Sequence, residues 1–126
     1  DAWRRDGAIR AERLCLSVTL NRERLHERIS LRVDAMLAAG LADEAHGLLQ
    51  RYGADAPGLQ SIGYAEWTVP GTTEAEIREE IIQHTRQYAK RQETWFRKRP
   101  GIPAEDLGQP HTAATLIKRV ETFLDG

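Results

Sequence analysis

The sequence has a single cysteine, Cys15, among its 126 residues. One cysteine excludes an internal disulfide and a zinc site built on several thiolates. Because proteins of the cytosol rarely carry disulfides, this scarcity favours a reducing, cytoplasmic location. No activating base is evident beside Cys15, so we expect it to be a small buried side chain.

Long apolar segments are also missing. The longest uninterrupted apolar run surrounds Met36 and is far shorter than the roughly 20 residues needed to cross a bilayer. The N-terminus has no apolar segment typical of a signal peptide, so we expect no membrane partner. The chain begins with Asp1 rather than methionine, which is typical of a processed, trimmed or partial chain.

The sequence offers no complete catalytic motif. Its ten glycines form neither GxxxxGKS/T nor GxGxxG, the loops that bind phosphates. The four histidines show no metal-ligand spacing, so we expect them at the surface, and nothing resembles a Ser-His-Asp set. We therefore predict no catalytic residue and no metal ligand in this chain, which in a catalytic context would supply contacts to anions and substrates.

Net charge is small but unevenly distributed. Lys and Arg total 18 and Asp and Glu total 19, which excludes a globally basic nucleic-acid binder and a disordered acidic tail. Residues 86–99 carry a net +5, so the remainder of the chain carries −6 of the total −1. A concentrated basic segment on an otherwise acidic body indicates an anionic partner.

Apolar and polar residues alternate over residues 13–20, which predicts the only strand, with Leu16 and Val18 on its apolar face. A single strand leaves backbone groups unpaired. We therefore expect it to pair with strands that this chain does not supply, or with another copy of itself. Residues 1–12 are charged and aperiodic, which predicts a linker or a frayed segment.

Helical patterns account for most of the remaining chain, so the predicted fold class is mostly α. Asn21 and Gly40 suit the two ends of the first helix. Thr73 and Glu76 form a capping box at the start of the longest helix. The longest helix is predicted over about residues 74–98. Three other helices are predicted over about residues 41–52, 62–69 and 112–124.

The basic residues of the longest helix have a helical arrangement. At 100° per residue, Arg86, Lys90 and Arg97 share one face, and Arg91 and Lys98 form a neighbouring row. Like charges at this spacing repel by a few tenths of a kcal/mol, a cost that a bridging anion would reverse.

Amide and aromatic side chains alternate with these bases. Gln92, Trp95 and Phe96 supply the groups that stack on nucleobases and contact base edges. The alternative is a helix C-terminus that simply favours cations, with Tyr88 and Trp95 in a buried stripe. Composition leaves both interpretations open.

A second candidate site is the segment 60–64, Gln-Ser-Ile-Gly-Tyr. Gly63 stands between two bulky residues, which predicts a close backbone approach or a positive φ. Tyr64 would stack on a base or support the loop. The alternative is an ordinary turn before a short helix.

Three sequence blocks, in this order, resemble the C-terminal half of the bacterial tRNA dimethylallyltransferase (tRNA isopentenyltransferase) family. They are RISLRVDAMLAAGL at residues 28–41, QSIGYAE at 60–66 and TRQYAKRQETWFR at 85–97. The resemblance extends over about residues 14–100, and the third block is the most specific of the three.

The resemblance implies a P-loop-type α/β core whose parallel sheet would include the strand at 13–20. Residues 13–126 would then be the C-terminal part of the prenyltransferase core domain. Family members transfer a dimethylallyl group from dimethylallyl diphosphate to the exocyclic amine of the adenosine 3′ to the anticodon of tRNA.

The resemblance also implies site residues and partners. The tRNA anticodon stem-loop and dimethylallyl diphosphate are the expected partners, together with the missing N-terminal half of the same enzyme. Candidates for contact with diphosphate or RNA phosphate are Arg32, Arg86, Lys90 and Arg91. Candidates for tRNA contact are Gln60, Ser61, Ile62, Gly63, Tyr64, Lys90, Arg91, Gln92, Glu93, Thr94, Trp95, Phe96 and Arg97.

The chain departs from the family pattern in several respects. The family's phosphate-binding loop and general-base Asp belong to the absent half, so we expect the fragment alone to be inactive. Mg²⁺ is expected for the intact enzyme, with ligands outside this chain. Ala65 stands where a basic residue is frequent, which puts one RNA contact in doubt.

Two other functions stay open. One is part of an adenylate isopentenyltransferase, with a free nucleotide as acceptor. The other is a stand-alone helical RNA-binding or interaction module. The prenyltransferase hypothesis predicts exposed apolar surface beside the strand or self-association, whereas a module would fold cooperatively alone.

Overall fold

The computed structural model describes residues 12–99 and 101–126, which form two compact units. The larger unit comprises residues 20–98, and the smaller comprises the segments on either side. The linker predicted for residues 1–12 lies outside the described residues apart from Glu12. The assignment of residues 13–126 to part of one core domain stays a prediction.

Two consecutive helices begin the larger unit. Helix α1 spans Arg22–Ala38. Asn21 caps it, since its side-chain oxygen accepts a hydrogen bond from the backbone N–H of Glu23 at 2.9 Å. Helix α2 spans Leu41–Tyr52. Gly40 joins the helices with φ +104°, a conformation that glycine adopts without a steric penalty. Both predicted helices are confirmed.

Two short 3₁₀ helices, Pro57–Gln60 and Ala65–Thr68, precede the longest helix. Helix α3 spans Glu74–Arg97. Its capping box is complete: Glu76 N–H donates to the Thr73 hydroxyl, and the Glu76 carboxylate accepts from the Thr73 backbone N–H. The predicted start of α3 is therefore confirmed.

The hydrophobic core of the larger unit lies where α1, α2 and α3 meet around Trp67. Ile81 of α3 is the most deeply buried large side chain of the described residues. Within each helix the core residues recur four positions apart, with Ile82 beside Ile81 in α3, as burial of one helix face requires. The buried members of this core are Ile29, Val33, Leu41, Ala45, Trp67, Ile77, Ile81 and Ile82.

Two short strands pair within the smaller unit. Strand β1 (Ser17–Thr19) and strand β2 (Ala104–Asp106) are parallel, with Val18 opposite Glu105. The mostly helical class and the strand in a parallel sheet are confirmed. The expectation that β1 finds no partner within this chain was wrong. Strand β2 has only three residues, of which one is apolar, so it shows no alternation of apolar and polar residues from which a strand could be predicted.

Burial in the smaller unit differs from expectation in β1, at Cys15 and in the final helix. Ser17 is buried in β1, whereas Val18 is 52% exposed. Cys15 is exposed rather than buried, which corrects the prediction for the thiol. The final helix, α4, spans Thr112–Asp125 and buries Leu116, while its other large apolar residues are exposed: Ile117, Val120, Phe123 and Leu124. No helix of the described part is long and apolar enough to span a bilayer.

Candidate nucleic-acid interface

A row of exposed cations extends along the C-terminal half of α3. We define the cation row as Arg86, Lys90, Arg91, Arg97 and Lys98. Within the two described ranges, no carboxylate lies at ion-pair distance from any of them. Since the charges are not neutralised by neighbouring acids, an external anion is the partner that would relieve their mutual repulsion.

The aromatic residues among these cations are at the surface. Trp95 is 49% exposed, Phe96 46% and Tyr88 50%, so the buried stripe that the sequence left open does not form. Trp95 and Phe96 contact each other edge to face, with ring centroids 4.8 Å apart. The Arg91 guanidinium lies 5.9 Å from the centre of the Tyr88 ring, within cation–π range.

A shallow cavity of about 360 Å³, largely open to solvent, lies on the surface of this helix. Lys90, Arg91 and Lys98 supply its positive charge, Thr94 a hydroxyl, and Trp95 an aromatic ring. Positive charge next to an exposed indole is the combination that proteins use to contact the phosphates and bases of single-stranded nucleic acid. Four of the predicted tRNA-contact residues thus meet in one cavity.

The segment 60–64 is fixed by its own hydrogen bonds. The Gln60 amide donates to the carbonyl of Ala54 and the Ser61 hydroxyl to the carbonyl of Gly58, both at 2.8 Å. Gly63 has φ +100°, which confirms the predicted positive φ. Ile62 is the large side chain that the segment leaves exposed.

Tyr64 is bonded to α2. Its hydroxyl donates to the Glu44 carboxylate at 2.6 Å. This hydrogen bond, followed by partial burial, raises the pKa of Tyr64 above its ordinary value. Of the two roles predicted for Tyr64, support of the loop is the one that these contacts provide.

Glu66 and His84 belong to the same site, although sequence reasoning assigned neither of them a role. The Glu66 carboxylate accepts from the Gly63 N–H and pairs with His84 Nδ1, each at 2.8 Å. The sequence alone predicted His84 simply at the surface. The available signal was the three-residue separation of Gly63 and Glu66, the same as that of Thr73 and Glu76 in the capping box.

The remaining predicted residues are distributed along two helices. Five of them lie on α3 but do not line the cavity: Arg86 precedes the lining residues in sequence, and Gln92, Glu93, Phe96 and Arg97 lie between them. Arg32 is exposed on α1 and is not among the residues that line the cavity. No group of three or more His, Cys, Asp and Glu within the described ranges is placed to hold a metal ion.

Residues 2–99 match the model of a protein family described as IPP transferase. A tRNA dimethylallyltransferase from Synechocystis sp. is 41% identical over 109 residues, which cover 84% of this chain and 36% of that protein. The tRNA dimethylallyltransferase of Gloeobacter violaceus is 39% identical over 123 residues, covering 90% of this chain and 39% of its own length. The chain therefore spans a little over a third of these relatives.

Solved structures are similar as well. The full-length tRNA isopentenylpyrophosphate transferase from Bacillus halodurans superposes with a TM-score of 0.78 at 32% identity, over 90% of this chain and 38% of that one. The tRNA delta(2)-isopentenylpyrophosphate transferase from Staphylococcus epidermidis gives 0.74 at 29% identity, over 89% of this chain and 38% of that one.

Proposed function

The chain belongs to the IPP transferase family, and on this basis we propose that it is the C-terminal portion of a tRNA-modifying prenyltransferase. The intact enzyme would transfer a dimethylallyl group from dimethylallyl diphosphate to the exocyclic amine of the adenosine 3′ to the anticodon. In that step the allylic carbon–oxygen bond breaks and a carbon–nitrogen bond forms. Diphosphate and a proton are released.

The observation that carries this proposal is the cavity on α3. Lys90, Arg91 and Lys98 line it together with Trp95, and no acidic side chain of the described residues lies at ion-pair distance from these three cations. A polyanion with exposed bases matches both features, because its phosphates pair with the cations and an unpaired base stacks on the indole.

Cations also suit the chemistry of the leaving group. Negative charge develops on diphosphate as the allylic bond breaks, and fixed positive groups lower the barrier in the way that oxyanion donors do. Arginine binds phosphate oxygens through two parallel N–H bonds, whereas lysine acts as a point charge. We propose that Arg32, Arg86, Lys90 and Arg91 provide these phosphate contacts, to diphosphate or to RNA.

RNA contact would involve two segments, residues 60–64 and 90–97. The first presents Ile62 on a backbone fixed by Gly63 and Tyr64. The second presents the cavity. An adenosine leaves its stack before its amine can react, which costs about a few kcal/mol, and contacts from both segments would offset that cost.

The rest of the enzyme would complete the catalytic site. We propose that it supplies the phosphate-binding loop, the general base and the Mg²⁺ ligands, and that β1 joins its parallel sheet. The apolar side chains of Leu16 and Val18, exposed on and beside β1, support this because they are the surface such a neighbour would cover. A tRNA substrate favours a cytoplasmic location.

The test compares acceptors and chain lengths. The intact enzyme is incubated with Mg²⁺ and labelled dimethylallyl diphosphate, with either an anticodon stem-loop RNA or AMP as acceptor. We expect the label on the stem-loop alone and none with the 126-residue chain. Label on AMP would favour an adenylate isopentenyltransferase, and label transferred by the short chain would disprove its dependence on the remaining portion.

A further inference from the structure

Glu66 is a buried carboxylate with both oxygens in use. The residue is 2% exposed, yet Oε2 accepts from the Gly63 backbone N–H and Oε1 pairs with His84 Nδ1. A buried carboxylate is tolerated only where such partners replace water. Because a carboxylate accepts hydrogen bonds, Nδ1 of His84 is the donor.

Gly63, whose backbone N–H donates to Glu66, is held at its carbonyl as well. The indole N–H of Trp67 donates to the Gly63 carbonyl at 3.0 Å. Gly63 has φ +100°, a conformation that glycine adopts without a steric penalty, and the bonds at its N–H and carbonyl hold the backbone there. Glu66 and Trp67 together therefore set the direction in which the segment 60–64 leaves the core.

His84 connects the same carboxylate to the cation row. It lies on α3, two residues before Arg86 and seven before Arg91, so it shares a helix face with Arg91. Its side chain is 45% exposed, which places the Glu66–His84 bond at the boundary between the core and the surface of α3. One buried carboxylate thus joins the segment 60–64 to α3, the helix that carries residues 90–97.

We propose that Glu66 is a positioning residue for RNA binding, acting through His84. Its two bonds hold the segment 60–64 at a fixed place relative to the cation row, so that both contact the same RNA without prior rearrangement. This inference rests on the function proposed above. Preorganisation of this kind lowers the cost of binding and leaves the chemistry of the bound complex unchanged.

The experiment uses the intact enzyme, dimethylallyl diphosphate and an anticodon stem-loop. His84→Ala removes the α3 partner, and His84→Asn restores a donor near the position of Nδ1. We expect His84→Ala to raise KM for the stem-loop about fivefold or more, with kcat at saturating RNA unchanged. His84→Asn should return KM toward the wild-type value, and His26→Ala on α1 is the matched control.

Glu66→Gln adds an independent measurement. Combined with His84→Ala, it should raise KM no further than the larger single change, because both substitutions act on the same Glu66–His84 contact. If Glu66→Gln does not fold, the two His84 variants decide the question. Unchanged KM in His84→Ala, or a fall in kcat and in thermal stability with unchanged KM, would overturn the inference. A wild-type enzyme that does not modify the stem-loop would instead refute the proposed function.

Discussion

Arg78 on α3 forms two bonds with Asp34 on α1, from Nε to Oδ1 at 2.5 Å and from Nη2 to Oδ2 at 2.9 Å. Arg78 also pairs with its neighbour Glu79. This arginine near the start of α3 is thus neutralised by carboxylates of α1 and of its own helix. The five residues of the cation row lack such partners among the described residues.

The Arg78–Asp34 contact predicts a pH dependence. The hydrogen bonds from Arg78 hold the pKa of Asp34 below its ordinary value, with partial desolvation opposing them. A carboxylate with a depressed folded-state pKa stabilises the fold above its unfolded pKa, about 3.9, and this contribution is lost as pH falls through the folded value. Arg78→Met should therefore raise the Asp34 pKa in an NMR titration, and its deficit in stability should shrink below about pH 4. Arg24→Met should leave Asp34 unchanged; an unshifted Asp34 in Arg78→Met would contradict this account.

The capping box of α3 predicts a local loss of stability. Thr73→Ala removes the hydroxyl that accepts from Glu76 N–H, and should lower the free energy of opening of the first turn by about 1 kcal/mol. Native-state hydrogen exchange of α3 amides measures this directly. Thr73→Ser keeps the hydroxyl and should retain most of the protection, so equal exchange in the two variants would argue against the cap.

Replacing Gly63 and Gly47 by alanine should change the free energy of unfolding in opposite directions. An added Cβ at Gly63 would lie 4.0 Å from Met36 Cε, so the cost of Gly63→Ala comes from the positive φ and should be about 1–2 kcal/mol. Gly47 lies within α2 at ordinary helical φ with open space around it, so Gly47→Ala should stabilise by about 0.5–1 kcal/mol. Urea denaturation followed by circular dichroism gives both values. Destabilisation by Gly47→Ala would show that crowding rather than backbone conformation decides.

The cation row predicts a change in salt dependence. Replacing Lys90 and Arg91 by Ala in the intact enzyme should weaken stem-loop binding and reduce the slope of log K against log salt by about 0.7–0.9 for each phosphate that is no longer neutralised. The control pair is Arg22→Ala with Arg24→Ala, two exposed cations of α1. Separate titrations with dimethylallyl diphosphate distinguish RNA phosphate binding from diphosphate binding. An unchanged affinity and slope for both ligands would remove Lys90 and Arg91 from the site.

Features set by local chemistry could be predicted from the sequence. The caps at Asn21 and Thr73 act within one helical turn, and the core periodicity that buries Ile77 and Ile81 is visible in the sequence. Strand β2 could not be predicted, because its conformation depends on pairing with β1 rather than on its own residues.

The candidate site was predictable only where local residue type and spacing determine its features. The exposed cations and the positive φ at Gly63 follow from residue type and spacing. The surface position of Trp95 does not, since an apolar residue at helical spacing is compatible with either side of a helix. The Glu66–His84 bond joins residues that are 18 positions apart in sequence, and only the tertiary fold brings them together.

Helix α3 buries side chains only in its first half. From Ile77 to Ile82 it contributes to the core, whereas residues 86–88, 90–93 and 95–97 are exposed. Most surface helices offer a ligand one side, because the opposite side faces the protein. Over residues 86–97, roughly 18 Å of helix, α3 exposes two adjacent faces to solvent. The RNA proposed above would therefore have to curve around this rod for its phosphates to reach both the face with Arg86, Lys90 and Arg97 and the face with Arg91 and Lys98.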